Sequence, residues 1–119
     1  RIGTLEAGHG WLPFWMERLN EHARTIASAL PKLNHPPGDY VTSGRYFQSI
    51  EAPEGEKLTN AVIDLIGEDV LMYASDYAHG ESHFPHTVEM VMAWNMPEAR
   101  KRKLFWDNAI RYYTRCGLK

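Results

Sequence analysis

Cysteine is almost missing from this chain. Cys116 stands alone among 119 residues, so no intrachain disulfide is possible, and a reducing compartment, the cytoplasm, is the expected setting. No apolar run approaches the roughly twenty residues that a membrane helix needs, and no charged-then-apolar leader precedes the first element, so neither a membrane nor export is expected. A basic excess is lacking too: 13 Lys and Arg against 15 Asp and Glu leave a net charge of -2, which gives phosphate backbones little to bind and removes nucleic acid as an expected partner. Internal repeats and low-complexity tracts are absent. There is no initiator methionine, and residues 1–5 already read as a strand, so the chain is expected to be a piece of a longer protein. The remaining composition, 44% hydrophobic and 24% charged, is that of an ordinary soluble protein with enough apolar material for one domain.

The centre of the chain is the stretch 68–81, EDVLMYASDYAHGE. Val70, Leu71, Met72, Tyr73 and Ala74 form a short apolar run, the pattern of a parallel strand covered on both faces. Polarity then switches abruptly, with Ser75, Asp76, Tyr77, His79, Glu81, His83 and His86 following within twelve positions. The carboxyl ends of strands are where α/β sheets build their sites, so a site is expected here.

Other elements are laid out around it. Residues 1–5 read as a strand, followed by a glycine-bearing turn at 6–10. From Leu12 the apolar residues Trp15, Met16, Leu19, Ala23, Ile26, Ala27 and Leu30 recur at helical spacing, with Pro13 in the first turn and Pro31 as the stop. Residues 34–44 form a turn-rich connection, and 45–50 a short strand. A second helix places Leu58, Val62, Leu65 and Ile66 on its inner face and is capped by Gly67. Pro85 opens a third helix with Val88, Val91 and Met92 inward. A long fourth helix follows Pro97, with Leu104, Asn108, Ala109 and Tyr112 buried and residues 100–103 solvated. The order β-α-β-α-β-α-α predicts an α/β fold with a parallel sheet, whose two open edges call for further covering.

Taken on their chemistry alone, the polar residues allow more than one assignment. Asp76 after a strand fits turn chemistry as well as catalysis. His79, His83 and His86 with Asp76 supply zinc-ligand types, although histidines also gather in loops without metal. His9 is either a hydrogen-bonding loop residue or a group reaching into the mouth, and Glu6 is either a site carboxylate or a buried partner of Arg45. Trp11, Phe14, Trp15 and Trp94 read as core or pocket wall.

Three segments together carry a family resemblance. Residues 5–13 (LEAGHGWLP), residues 75–79 (SDYAH) and the helix bearing Asn108-Ala109 resemble the C-terminal part of the amidohydrolase-related family of metal-dependent (β/α)8 barrels. That family includes aminocarboxymuconate-semialdehyde and γ-resorcylate decarboxylases. The resemblance covers nearly the whole chain, residues 1–119, as one C-terminal segment containing about strands six to eight of a TIM barrel. It implies that Asp76 binds metal and moves protons, that His79 assists it, and that Glu6 is a metal ligand where decarboxylases of the family carry histidine. His9, Trp11 and Glu81 are the implied substrate contacts. Ala78 stands where proline is common, and Asn108 falls at a position with a structural role. The implied cofactor is a divalent ion, zinc first, with manganese or iron favoured by the carboxylate at position 6.

Two classes of function follow. One is a metal-dependent hydrolase, or a non-oxidative decarboxylase, acting on a small carboxylated or cyclic substrate. The other is a non-catalytic fragment or assembly module, because the strand-one His-x-His and strand-five His of such barrels are not in this sequence. The expected partners are the small-molecule substrate, the remaining barrel segment in the same or another chain, and further copies of the same protein.

Overall fold

A computed structural model describes residues 1–117. The β-branched and aromatic runs form three parallel strands in the order β1-β2-β3: β1 is Ile2–Thr4, β2 is Tyr46–Ile50 and β3 is Leu71–Tyr73. Thr4 is in register with Gln48, and Ile50 with Tyr73. All three carboxyl ends therefore open on one side, and the Ala74 N–H to Ile50 carbonyl bond (2.8 Å) extends the second ladder toward it.

Helices α1 (Leu12–Thr25), α2 (Pro37–Tyr40), α3 (Glu56–Ile66), α4 (Thr87–Met92), α5 (Glu98–Arg102) and α6 (Asn108–Tyr112) surround the sheet, the last two joined by a wider turn over Lys103–Asp107. The core gathers Leu12, Val41, Ile50, Val62, Ile63, Ile66, Val70, Leu71, Met96 and Leu104. Among the described residues no helix is long and apolar enough to cross a membrane.

Several expectations are corrected. The first helix stops at Thr25, well before Pro31, because Ile26 leaves helical backbone at φ -120° and a short 3-10 turn, Ala27–Ala29, follows. Only Leu12 of its apolar stripe is buried, with Met16 partly buried against the core; Trp15, Ile26 and Leu30 are exposed. The 34–44 connection contains α2, started by prolines whose fixed φ suits a first turn. The buried face of α3 is rotated from expectation to Thr59, Val62, Ile63 and Ile66, leaving Leu58 and Leu65 exposed. The set 59, 62, 63 and 66 is itself an i, i+3, i+4, i+7 stripe, so periodicity alone admitted both faces. Helix α4 begins at Thr87 instead of Pro85 and turns Thr87 and Val91 inward, with Val88 and Met92 outside.

Of the basic run 100–103, expected to be solvated, only Arg102 is exposed. Lys101 is buried, its Nζ donating to the Met92 carbonyl (2.7 Å) and to Glu98 (3.2 Å). Arg100 reaches Asp64, Glu68 and Asn60, and Lys103 reaches Asp69 at 3.0 Å. These cations stitch the last helices to α3 and to the approach of β3, so their apolar stems are covered while their heads stay paired. Asn108 is fully buried, as a structural role requires, and its amide donates to the Glu68 and Leu71 carbonyls, both at 2.8 Å.

Candidate active site at the strand ends

Each strand runs out into an acidic residue. Glu6 follows β1, Glu51 follows β2 directly, and Asp76 lies three residues beyond β3. Glu6 and Asp76 both take left-handed backbone, at φ 56° and 54°, which turns the chain sharply out of the strand direction. Such a conformation costs an L-residue roughly 1–2 kcal/mol, less for aspartate, whose short polar side chain tolerates it. Finding it at two carboxylates of one mouth is the pattern of backbone strain held at functional positions.

Glu6, Asp76 and His79 each offer one ligand atom, and these atoms all lie within 4.8 Å of one another. Asp76 is nearly enclosed, its side chain 9% exposed, and its Oδ1 lies 2.8 Å from His79 Nδ1. The same turn is closed by the His79 backbone N–H donating to the Asp76 carbonyl. Glu6 is exposed, and its N–H donates to Ser49 Oγ at 3.2 Å. The alternative of a buried Glu6 paired with Arg45 fails: Arg45 precedes β2, at the opposite end of the sheet from Glu6.

The other expected site residues are placed differently. His9 is fully buried instead of reaching into the mouth; its Nδ1 lies 3.0 Å from Glu54 Oε1, off the line of a good hydrogen bond, and its Nε2 has no partner. Trp11 works as a pin, its indole N–H shared between the carbonyls of Ala7 (3.0 Å) and Gly8 (2.9 Å). Glu81 is exposed and outside the converging group. The separate cluster of Asp76 with His79, His83 and His86 does not form among the described residues: His83 and His86 are exposed, and His86 Nδ1 turns to Glu89 at 3.3 Å. Trp94 packs against the core, whereas Phe14 is exposed, so core or wall describes only part of that aromatic set.

Glu51 is the residue that sequence reasoning missed. It sits on the middle strand, between the other two carboxylates. Burial raises its carboxyl above the usual range, and the negative charges of Asp76, Glu54 and Glu6 add to the effect. Its own side chain caps the turn Ala52–Glu54. The signal was available: a strand ending at residue 50 in a parallel sheet makes residue 51 a mouth residue. Glu54 lies just behind; burial alone pushes it up, but hydrogen bonds from His9 and from the Glu51 backbone outweigh that and hold it below the usual carboxylate range.

The mouth is open. A cleft of about 740 Å³ lies between the end of α1 and residues 30–39 and includes none of the three converging residues. Chemically, two carboxylates and an imidazole facing one another suit a divalent cation and proton transfer.

The amidohydrolase family model matches residues 4–115. No curated protein sequence matches the chain significantly. Among solved structures, the chain is similar to the crystal structure of 5-carboxyvanillate decarboxylase LigW from Sphingomonas paucimobilis, with a TM-score of 0.70 and 23% identity over 90% of this chain. The chain spans 32% of the length of that protein. Identity of this order speaks for the fold, and the strand ends that gather Glu6, Glu51 and Asp76 occupy the matched region; with nearly its whole length covered by the family model, the chain belongs to the amidohydrolase family.

Proposed function

We propose that the chain contributes about strands six to eight of a (β/α)8 barrel and that the complete protein is a metal-dependent hydrolase acting on a small carboxylated or cyclic substrate. The observation that carries this is the convergence of Glu6, Asp76 and His79 within 4.8 Å at the carboxyl ends of parallel strands. The donor set fits a divalent ion: carboxylate and imidazole both bind zinc, and the share of oxygen leaves manganese or iron open. Further barrel segments, in the same or another chain, supply the remaining strands and ligands. Exposed apolar side chains on β1, α1 and α3, among them Ile2 at 68%, Phe14 at 70% and Leu65 at 72%, support such a covering.

When bound, the cation supplies a Lewis acid that brings the pKa of water toward about 7. Asp76, nearly enclosed and 2.8 Å from His79 Nδ1, would help hold such an ion and would serve as the proton acceptor of the site. His79, 56% exposed on its side chain, is free to pass the proton outward or to touch substrate. Glu6 adds negative charge opposite Asp76 and fixes the third donor. The likeness to 5-carboxyvanillate decarboxylase LigW favours a second reading, non-oxidative decarboxylation, in which the same groups hold the substrate carboxylate and deliver a proton to carbon.

The test is Asp76→Asn in the intact protein, with metal content and turnover of small aromatic and cyclic carboxylates measured together. The amide has the size of the carboxylate but accepts no proton at neutral pH, so turnover should fall on the order of a hundredfold or more. His83→Ala should leave metal content unchanged. Full turnover in Asp76→Asn removes Asp76 from the mechanism.

A further inference from the structure

Glu6 sits in left-handed backbone in an exposed loop, and within that loop its own N–H to Ser49 Oγ is a single tether. A second tether comes from Glu54. One oxygen, Oε1, accepts the backbone N–H of His9 at 3.1 Å and lies 3.0 Å from His9 Nδ1; the other, Oε2, accepts the backbone N–H of Glu51 at 2.8 Å. The two oxygens thus join the loop after β1 to the end of β2. The fit is close enough to restrict the sequence: a Cβ at Gly8 would stand 3.1 Å from Glu54 Oε1, and Gly8 itself has φ 61°. The side chain of Glu54 is 19% exposed, and His9 behind it is fully buried, so the strut is packed on its inner side.

We propose that Glu54 is a positioning residue: by tying the His9 backbone to the Glu51 backbone, it holds the loop that carries Glu6 and sets the distance of Glu6 from the Asp76 and His79 pair. The β2 end is itself joined to the β3 end by the Ala74 to Ile50 hydrogen bond. Glu54 therefore completes a link across all three strand ends. Without it, the loop over residues 6–10 keeps its Ser49 and Trp11 hydrogen bonds but loses its link to the end of β2, so the left-handed turn at Glu6 relaxes and the carboxylate shifts. Glutamine keeps one carbonyl oxygen and can serve one of the two N–H groups, alanine neither, and aspartate is too short to span both.

The experiment compares wild type, Glu54→Gln, Glu54→Ala and the surface control Glu17→Gln in the intact protein. Two quantities are read: Mn2+ affinity by electron paramagnetic resonance, and the backbone amide resonance of Glu6 by NMR without metal. Glu54→Gln should keep the unfolding midpoint near that of wild type, move the Glu6 resonance and weaken Mn2+ binding about tenfold, in the range found for groups that support ligands from behind. Glu54→Ala should weaken it further, and where that variant does not fold, Glu54→Gln decides. The Mn2+ arm rests on the cation site proposed above; a wild type that binds no Mn2+ refutes that site, and the Glu6 resonance then decides the role of Glu54 by itself. An unmoved Glu6 resonance in Glu54→Gln overturns the inference.

Discussion

Replacing Asn108 by leucine should destabilise the chain far more than a surface change, through hydrogen bonding and not volume. Asn108 is fully buried, and its Nδ2 satisfies two backbone carbonyls, Glu68 and Leu71, that flank the start of β3. Leucine has a similar size and fills the same space, so the cavity contribution is small. What is lost is the donor to both carbonyls. A buried polar group left without its partner costs about 1–3 kcal/mol, so two give about 2–5 kcal/mol once partial relaxation is allowed. With a urea slope of about 2 kcal/mol/M, the unfolding midpoint should drop by about 1–2.5 M at unchanged slope. Asn108→Asp is the sharper variant, because it sets an acceptor against two acceptors at neutral pH and should cost more than leucine. Urea unfolding followed by circular dichroism measures both. A midpoint shift below about 0.3 M for Asn108→Leu would falsify the claim that this amide pins β3, and with it the account of how the strand leading to Asp76 is held.

Two further outcomes concern charge. Lys103 bonded to Asp69, opposed by burial and helped by Arg111, lowers the Asp69 carboxyl below its ordinary 3.8, so the folded state favours its ionised form. The stability gained is full above that ordinary value and is lost as pH falls through the lower folded one; Lys103→Met should flatten this acid limb in thermal unfolding between neutral pH and about pH 3, and an unchanged limb refutes it. Glu51 has the opposite sign: burial, then Asp76, Glu54 and Glu6, raise its carboxyl above 4.5, so ionisation weighs against the folded state. Glu51→Gln should therefore raise the unfolding temperature at pH 7 and have no such effect well below pH 4.5, where the carboxyl is protonated folded or unfolded; a lower temperature at pH 7 contradicts this.

The strands and the polar switch after β3 were legible because both rest on local signals: an apolar run, then turn and acid residues. Glu6, Asp76 and His79 were singled out by the family resemblance, and the rule that parallel strands share a mouth is what expected them to converge. Other features depended on distant partners. Lys101 reads as solvated in a basic run, and only the Met92 carbonyl and Glu98 explain its burial. His9 in a glycine-rich turn looks free until Glu54, 45 residues away in sequence, takes its backbone N–H. Glu51 hid in the segment EAPEGE, where three acids around proline and glycine look like ordinary surface turn. The inner face of α3 was undecidable by spacing, since Leu58 and Leu65 form as good a stripe as Thr59 and Ile66 until the sheet is in place.

Burial is uneven in a way that bears on the site. On the side of β3, Asn108, Lys103 and Arg100 bind the last helices down, and Asp76 is almost enclosed. On the side of β1 the described residues are covered less: Ile2 and Leu5 are exposed, α1 buries only Leu12, and Glu6 stands open. An uncovered edge strand with apolar side chains pairs readily with another strand. In the proposed barrel a neighbour lies beside β1 and another beside β3, so closure brings a wall to the side of Glu6 and to the side of Asp76. Closure then lowers the local dielectric most around Glu6, which is exposed, and less around Asp76, which is already nearly enclosed, so a cation between them gains value. The exposed Glu6 and the exposed apolar residues of β1 thus lie on the same side of the sheet, and Glu54 is the residue proposed to hold Glu6 there.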